Sequence, residues 1–231
     1  MKRISVLLFI TYLLLFISCA STDTANSDTV KQSEIYQSYT ITYNEGDMEL
    51  SATAFFRFGG ATGTTLKLVN PSFVTFNGQK MDSGKNIFSG TFYEINLQVP
   101  LSQSNTFVFT DIDNKTYTNT VSLYPFKIND YPAIINRNKG AKISWIGDPL
   151  QKDERIEVAI DGAEKSFCSF SIYSSKDNTI DISRDRLIDI KPGDATIELK
   201  RVKDPELKEA THLGGNMTVT YVVKKLSVKF E

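Results

Sequence analysis

Hydrophobic and polar residues alternate with period two over most of the segment from Tyr36 to Leu123, and this pattern constrains the fold more than any other feature of the chain. Such alternation is typical of β-strands that bury one face. The run Met48–Phe58 is the longest example, and Asn77-Gly78 separates two shorter runs with the residues of a tight hairpin turn. With turn residues roughly every 8–12 positions, the segment predicts seven or eight short strands in an antiparallel sandwich.

The chain after Pro125 is also rich in alternating runs, but its composition differs. Residues 31–125 contain 15 of the 26 aromatic residues, with 6 basic and 8 acidic side chains, whereas residues 126–231 contain 8 aromatics, 18 basic and 17 acidic side chains. This change predicts a second core, and so a second domain. The elements predicted there are strands at Ala141–Ile146, Arg155–Ile160, Phe167–Tyr173, Thr179–Ile182, Ala195–Val202 and Met217–Phe230, a helical turn at Ser183–Ile190 and a reverse turn at Pro192–Asp194.

Trp145 is the next-to-last residue of the strand Ala141–Ile146 and is predicted to lie in the core, and the turn Gly147–Pro149 follows the strand. A strand, a core Trp and a turn in this order resemble the immunoglobulin-like or fibronectin-like modules common in bacterial surface proteins. The resemblance implies an immunoglobulin-like β-sandwich for residues 126–231, without the paired cysteines of antibody domains. Likeness of architecture does not carry a function.

The first residues have the order of an export signal. A basic head, Met1–Arg3, precedes the apolar run Ile4–Ile17, which is shorter than the roughly 18–20 residues that span a bilayer. The run ends in Phe16-Ile17-Ser18-Cys19, which resembles the lipobox of bacterial lipoproteins. The resemblance implies that the Cys19 thiol carries a diacylglyceryl group and that the membrane is reached through this anchor. Ala20 replaces the Asp that favours inner-membrane retention, so the cell outer membrane is expected; simple cleavage after Ala20 is the alternative.

Residues 20–34 are polar and contain no aromatic residue, which predicts a flexible tether. Asp23–Ala25 and Asp28–Val30 also resemble an O-glycan acceptor of some Gram-negative bacteria. Together, these observations predict an all-β protein with two antiparallel, immunoglobulin-like sandwiches in tandem. The expected segments are a lipoprotein signal peptide at 1–18, a tether at 19–34, an aromatic-rich sandwich at 35–125 and the immunoglobulin-like sandwich at 126–231.

Charge and composition exclude several functions. The chain has 26 basic and 27 acidic residues, so it lacks the basic excess of a nucleic-acid binder. One His and two Cys leave too few ligands for a zinc site. We therefore expect no metal, no cofactor and no nucleic-acid partner.

Each residue with potential chemistry also has a structural explanation. Cys168 lies on an apolar strand face and is predicted to pack in the core, and His212 is predicted to lie exposed in a loop. Asp111–Thr116 has two carboxylates at calcium-loop spacing, but Lys115 follows where a ligand belongs, which favours a hairpin turn. Gly59–Thr65 lacks the Lys of a phosphate loop and is predicted to be a surface loop. The scattered acids are interpreted as a solvated surface: Asp177, Asp181, Asp185, Asp189 and Asp194.

No catalytic residue is identified, so the sequence favours a non-enzymatic binding or structural protein of the cell envelope. A hydrolase with carboxylates brought together by the fold is the alternative. Phe55 shares a predicted strand face with polar neighbours and is the candidate for an exposed binding residue, with a protein or a glycan as partner. The competing interpretation is that Phe55 packs against a second sheet or the second domain.

Overall fold

The computed structural model describes residues 24–175 and 177–231, and within them almost every element is a β-strand. This confirms the predicted all-β sandwich. Two 3-10 turns, Ser27–Thr29 and Gln32–Glu34, follow the first strand. The strands are β1 Thr24–Asn26, β2 Ile35–Asn44, β3 Glu49–Phe58, β4 Thr64–Lys67, β5 Phe73–Phe76, β6 Gln79–Lys80, β7 Asp82–Asn86, β8 Gly90–Gln98, β9 Ser104–Thr110, β10 Thr116–Ser122, β11 Lys127–Asp130, β12 Ile134–Ile135, β13 Ala141–Ile146, β14 Glu154–Ala163, β15 Phe167–Ile172, β16 Thr179–Ile182, β17 Lys191–Lys203, β18 Gly215–Val222 and β19 Leu226–Phe230, with the short helix α1 Arg184–Leu187.

The strands form three sheets. One sheet has twelve strands and extends through both halves of the described chain in the order β1-β4-β3-β2-β18-β17-β14-β15. In addition, β8 pairs with β3 and β7 with β8, while β19 pairs with β17 and β12 with β19. A four-stranded sheet, β10-β9-β5-β6, covers its N-terminal part, and a three-stranded sheet, β11-β13-β16, covers its C-terminal part. Most pairs are antiparallel as predicted, but β1–β4, β2–β18 and β12–β19 are parallel.

Aromatic rings fill the space between the sheets in the N-terminal part. The Tyr39 ring lies 4.5 Å from the Phe107 ring, and the Phe56 ring lies 4.3 Å from the Phe109 ring, each pair joining the two sheets. All four side chains are fully buried. These contacts follow from the alternation, because every second residue of each strand points into the same core.

Strand β18 joins the two halves of the chain. Gly215–Val222 pairs in parallel with Gln37–Asn44 of β2 over its full length, and its last four residues also pair with β17. The hydrophobic core continues across the same region. The composition change near residue 125 therefore marks a change in core and surface chemistry, and strand pairing continues across it.

Residues 24–34 differ from the predicted flexible tether. Thr24–Asn26 pairs with β4, Ser27 is fully buried, and its hydroxyl accepts a hydrogen bond of 3.0 Å from the Val69 amide. The Gln32 side chain donates to the Ser27 carbonyl at 2.7 Å. A polar segment is ordered here because buried hydrogen bonds replace the apolar contacts that its composition lacks. Residues 1–23, including Cys19 and the signal peptide, lie outside the described residues.

Two smaller differences concern the C-terminal half. Pro192–Asp194 is not a reverse turn; it forms the beginning of β17, with Gly193 opposite Phe230 of β19. The run Met217–Phe230 is two strands, β18 and β19, and not one. The helical turn is present as α1, with Ser183 at its N-cap but without a side-chain capping bond.

Candidate functional site

The outward face of β18, β2, β3 and β8, here called the outer face, carries the strongest candidate for a binding site. Phe55 points away from the core there, opposite Ser38 of β2, and its ring lies 6.0 Å from the Phe92 ring of β8. Both rings are half-buried. Phe92 in turn covers Gly84 of β7, where a Cβ atom would lie 2.5 Å from the ring. A glycine at this position lets the Phe92 ring lie flat across the neighbouring strand.

Arg57 lies on the same face, next to Phe55, and contacts two loops at the edge of the sheet. Its guanidinium carbon is 5.2 Å from the centre of the Phe55 ring. Its nitrogens donate to the Gly63 carbonyl at 3.3 Å and to the Ser89 carbonyl at 3.5 Å. Partial burial lowers the pKa of Arg57, but the group stays charged at neutral pH. Arg57 therefore links the loop before β4 to the turn before β8 and stabilises the position of the Phe55 ring.

Mostly polar side chains cover the rest of the outer face, and Tyr36 lies opposite Arg57 as a further ring. Next to the ring pair, one row across the strands consists of Thr218, Thr40, Thr53 and Glu94, and the following row of Thr220, Thr42, Ser51 and Asn96. With strands about 4.8 Å apart, the four strands present a platform about 14 Å across. The face thus combines one aromatic pair with many hydroxyl and amide groups.

The structure places Phe55 where the alternation predicted, on a polar outward face, and the side chain is not packed against a second sheet. Phe92 was missed as its partner, although Tyr93 and its alternating neighbours already required Phe92 to point outward. The contact between Phe55 and Phe92 depends on the pairing of β3 with β8, for which the local sequence gives no signal. Cys19, the other predicted site residue, lies outside the described residues.

A cavity of about 460 Å³ lies apart from the outer face, where Ser122–Tyr124 meets β17 and β18. It is lined in part by the ion pair of Arg201 and Glu154, whose side chains are 14% and 10% exposed. The Gln151 amide also donates to Glu154 at 3.1 Å, and Arg201 donates to the Asp148 carbonyl at 3.0 Å. Because protein groups already bind both charges, this pair has a structural role.

Asp111 and His212 have the structural roles that the sequence predicted, whereas Cys168 is only partly buried at the margin of the core. Asp111 is buried in the β9–β10 turn, and one oxygen accepts bonds from the amides of Asp113 and Lys115 at 2.9 Å each. Cys168 faces Ile160 and packs against the core, and burial raises the pKa of its thiol. His212 is exposed in a loop. Among residues 24–175 and 177–231, no group of three His, Cys, Asp or Glu side chains is placed to hold a metal ion.

Two carboxylates do come together in the C-terminal half. Asp161 pairs with Thr196, so it is the diagonal neighbour of Asp194 on an exposed sheet face, and Lys229 lies opposite Asp194. The two acids lie side by side on an open surface. Glycoside hydrolysis instead needs carboxylates on the two sides of a cleft that holds the substrate.

No family model and no curated protein matches this chain. Solved structures are similar only distantly. A tetra-tandem repeat from the extending region of a large adhesion protein has 10% identity and a TM-score of 0.30, covering 84% of this chain and 49% of that one. A Bacteroides ovatus protein, SGBP-B of a mixed-linkage glucan utilization locus in complex with a heptasaccharide, has 10% identity and a TM-score of 0.26, covering 79% and 53%. The chain therefore spans about half the length of these two structures.

A chain from a cytokine receptor complex has 11% identity and a TM-score of 0.31, covering 83% of this chain and 95% of that one. At such scores these similarities carry no argument about function. Within the described residues, no helix has the length and apolar character to span a membrane.

Proposed function

We propose that this protein is a lipid-anchored component of the cell outer membrane, and that its outer face binds a glycan without catalysing a reaction. The observation that carries the binding role is the Phe55–Phe92 ring pair on an otherwise polar face. An aromatic ring stacks on the C–H face of a sugar, and the surrounding hydroxyl and amide groups suit its hydroxyls. The apolar area of two half-buried rings is small for the centre of a protein interface, which favours the glycan over the protein partner.

The binding role is tested with the purified chain on glycan arrays that include bacterial envelope polysaccharides. For a glycan that binds, Phe55→Ala and Phe92→Ala are each expected to weaken affinity by about tenfold, the usual effect of removing an aromatic contact. Phe73→Ala is the matched control, because Phe73 is a partly exposed ring on β5 of the other sheet. A protein partner captured from envelope fractions and lost with Phe55→Ala, without glycan binding, would favour the protein alternative.

The anchor proposal is supported by Ile17-Ser18-Cys19 at the end of a short apolar run. Two or three acyl chains hold a protein on a membrane through high-salt and carbonate washes, whereas a chain with a net charge of −1 has no basic excess to hold it electrostatically. Cys19→Ser is expected to release the folded protein into the soluble fraction with unchanged β-sheet circular dichroism. A soluble wild type that begins at an unmodified Ser21 would contradict the proposal and identify cleavage after Ala20.

A further inference from the structure

The turn between β7 and β8 exposes two large apolar side chains. Ile87 is 77% exposed and Phe88 is 83% exposed, the highest value among the large hydrophobic residues that the structure describes. The turn is held in place, because the Phe88 amide donates to the Asn86 side chain at 2.8 Å and the Ser89 carbonyl accepts from Arg57. An ordered hairpin that presents adjacent Ile and Phe side chains to water indicates a partner surface for them.

The strand register shows where this turn lies. β8 runs antiparallel to β3, so its first residue, Gly90, lies at the sheet end where β3 finishes at Phe58. β1 also begins at that end, because Thr24 pairs with Thr65 near the start of β4. The Thr24 and Thr91 hydroxyls are 3.1 Å apart. The exposed turn and the point where the chain enters the fold therefore share one end of the sheet.

The short distance to Cys19 connects this end to the anchor. Thr24 is five residues after Cys19, and five residues span at most about 18 Å even when fully extended. The position of Thr24 at this end of the sheet is fixed by its pairing with β4. An acylated Cys19 thus keeps the end of the sheet that carries Ile87 and Phe88 close to the bilayer surface.

We propose that Ile87 and Phe88 insert into the same membrane leaflet as the acyl chains, as a second contact of the protein with the phospholipid bilayer. This inference rests on the proposed lipid anchor. Two apolar side chains bind a membrane weakly alone, but the anchor raises their effective concentration at the surface. Lys85, exposed on the same hairpin, is suited to the headgroup layer. The contact fixes which end of the sandwich faces the membrane.

The test uses the lipidated full chain in vesicles of phosphatidylethanolamine and phosphatidylglycerol. Phe88→Trp is expected to give a blue-shifted emission that loses most of its added intensity when the lipids carry brominated acyl chains. Phe167→Trp is the matched control, since Phe167 is 58% exposed on β15. Phe167 pairs with Asp161 of β14, and this pair lies at the opposite end of the sheet from Ile87 and Phe88. The emission of the control is expected to be unaffected, and Trp145, which is buried, gives a constant background. Equal quenching at both positions, or none at position 88, would overturn the insertion.

A second measurement follows protein transfer between vesicles. Replacing Ile87 and Phe88 together by Ser is expected to speed desorption about tenfold or more, because two buried apolar side chains are lost from the membrane. Phe167→Ser should leave the rate unchanged. An unchanged desorption rate for the double variant contradicts the proposal. The unanchored Cys19→Ser protein gives a further test: if it dimerises with rising concentration, and the double substitution abolishes the dimer, the two side chains form a protein interface and the proposal is wrong.

Mass spectrometry of the N-terminal peptide separates the two proposals. A Cys19 without acyl groups contradicts the anchor, whereas acylated protein without quenching contradicts only the insertion.

Discussion

The two regions of the molecule are stabilised by different means. Within residues 24–125, the core is built from aromatic rings in stacked and edge-on contacts, such as those of Tyr39 with Phe107 and with Phe56, and the structure shows one ion pair, Lys31–Glu34. Within the described residues 126–231, the core is mostly Ile, Leu and Val, and the other eight ion pairs lie there. The charges of the C-terminal surface are thus largely paired with one another, whereas the outer face presents mostly neutral polar groups and a ring pair, with few charges such as Arg57 and Glu94.

This difference is one reason why we propose the N-terminal region as the binding surface. Charged side chains that already form ion pairs would have to give up partners and water to bind a ligand. On the outer face, the Thr218 hydroxyl donates to Asp204 and the Ser51 hydroxyl donates to Glu49, but neutral hydroxyl groups and aromatic rings cost less to strip of water than charged groups do. The β18 strand nevertheless makes the two regions share one sheet, so their stabilities are expected to be coupled.

The largest expected effect comes from removing a core ring. Phe56 is fully buried and contacts the rings of Tyr39, Tyr93 and Phe109, so Phe56→Ala is expected to lower the free energy of unfolding by about 3–5 kcal/mol. Ile160→Ala in β14 is the matched change in the other core, at about 2–5 kcal/mol. Because β18 joins the regions, urea unfolding should show one transition that both variants shift.

Fluorescence of Trp145 and far-ultraviolet circular dichroism give the two probes for this experiment. Trp145 reports the C-terminal core directly, where it lies 5.6 Å from Phe126. If Phe56→Ala left the Trp145 transition in place and shifted only part of the dichroism signal, the two regions would unfold independently.

The next effect compares ion pairs of the two regions. Glu154→Gln leaves the nearly buried Arg201 without its counter-charge, and a loss of about 3 kcal/mol is expected. Glu34→Gln removes the exposed pair with Lys31, and the expected change is below about 1 kcal/mol. Chemical denaturation measures both. If the two variants lost similar amounts of unfolding free energy, burial would not determine how much each ion pair contributes to stability.

A smaller effect concerns a contact that couples the regions. Asn119 of β10 is buried, and its side chain accepts bonds from the amides of Lys208 and Glu209 and donates to the Glu209 carbonyl. Asn119→Ala is expected to cost about 2 kcal/mol, because three partly buried hydrogen bonds of a buried side chain are lost. Amide hydrogen exchange at Lys208 and Glu209 should become faster, while exchange at Ile160 follows global stability only. Unchanged protection at the two amides would mean that the loop is held by other contacts.

The smallest effect concerns the thiol of Cys168. Burial raises its pKa, so the native state holds the thiol proton more tightly than the unfolded state does. This contribution to stability is present below the usual thiol pKa of about 8.5 and declines as pH rises through it towards the native pKa. Alkylation by iodoacetamide between pH 7 and 10 should be slower in the native protein than in urea at each pH. Equal rates would show that burial does not affect the thiol.

Much of the local structure was predictable from the sequence, because its causes are local. The β2–β3 hairpin, the Asn77-Gly78 turn and β16 at Thr179–Ile182 all follow from alternation and turn residues a few positions apart. Pro192–Asp194 was misread because β17 continues through residues that usually turn a chain, with Gly193 at a φ of 132° opposite β19. Residues 24–34 were misread because hydrogen bonds to distant strands order them.

The sequence by itself determined that the chain forms strands, which residues of each strand face the core, and that Phe55 points to a polar face. Only the tertiary structure decided which strands are neighbours, since pairing is chosen by contacts between residues far apart in the chain. Thus Tyr36 meets Asn216 across 180 positions, and Phe55 meets Phe92 because β3 lies beside β8. Alternation assigns a side chain to a face, but a face becomes a site only when the sheet brings its members together.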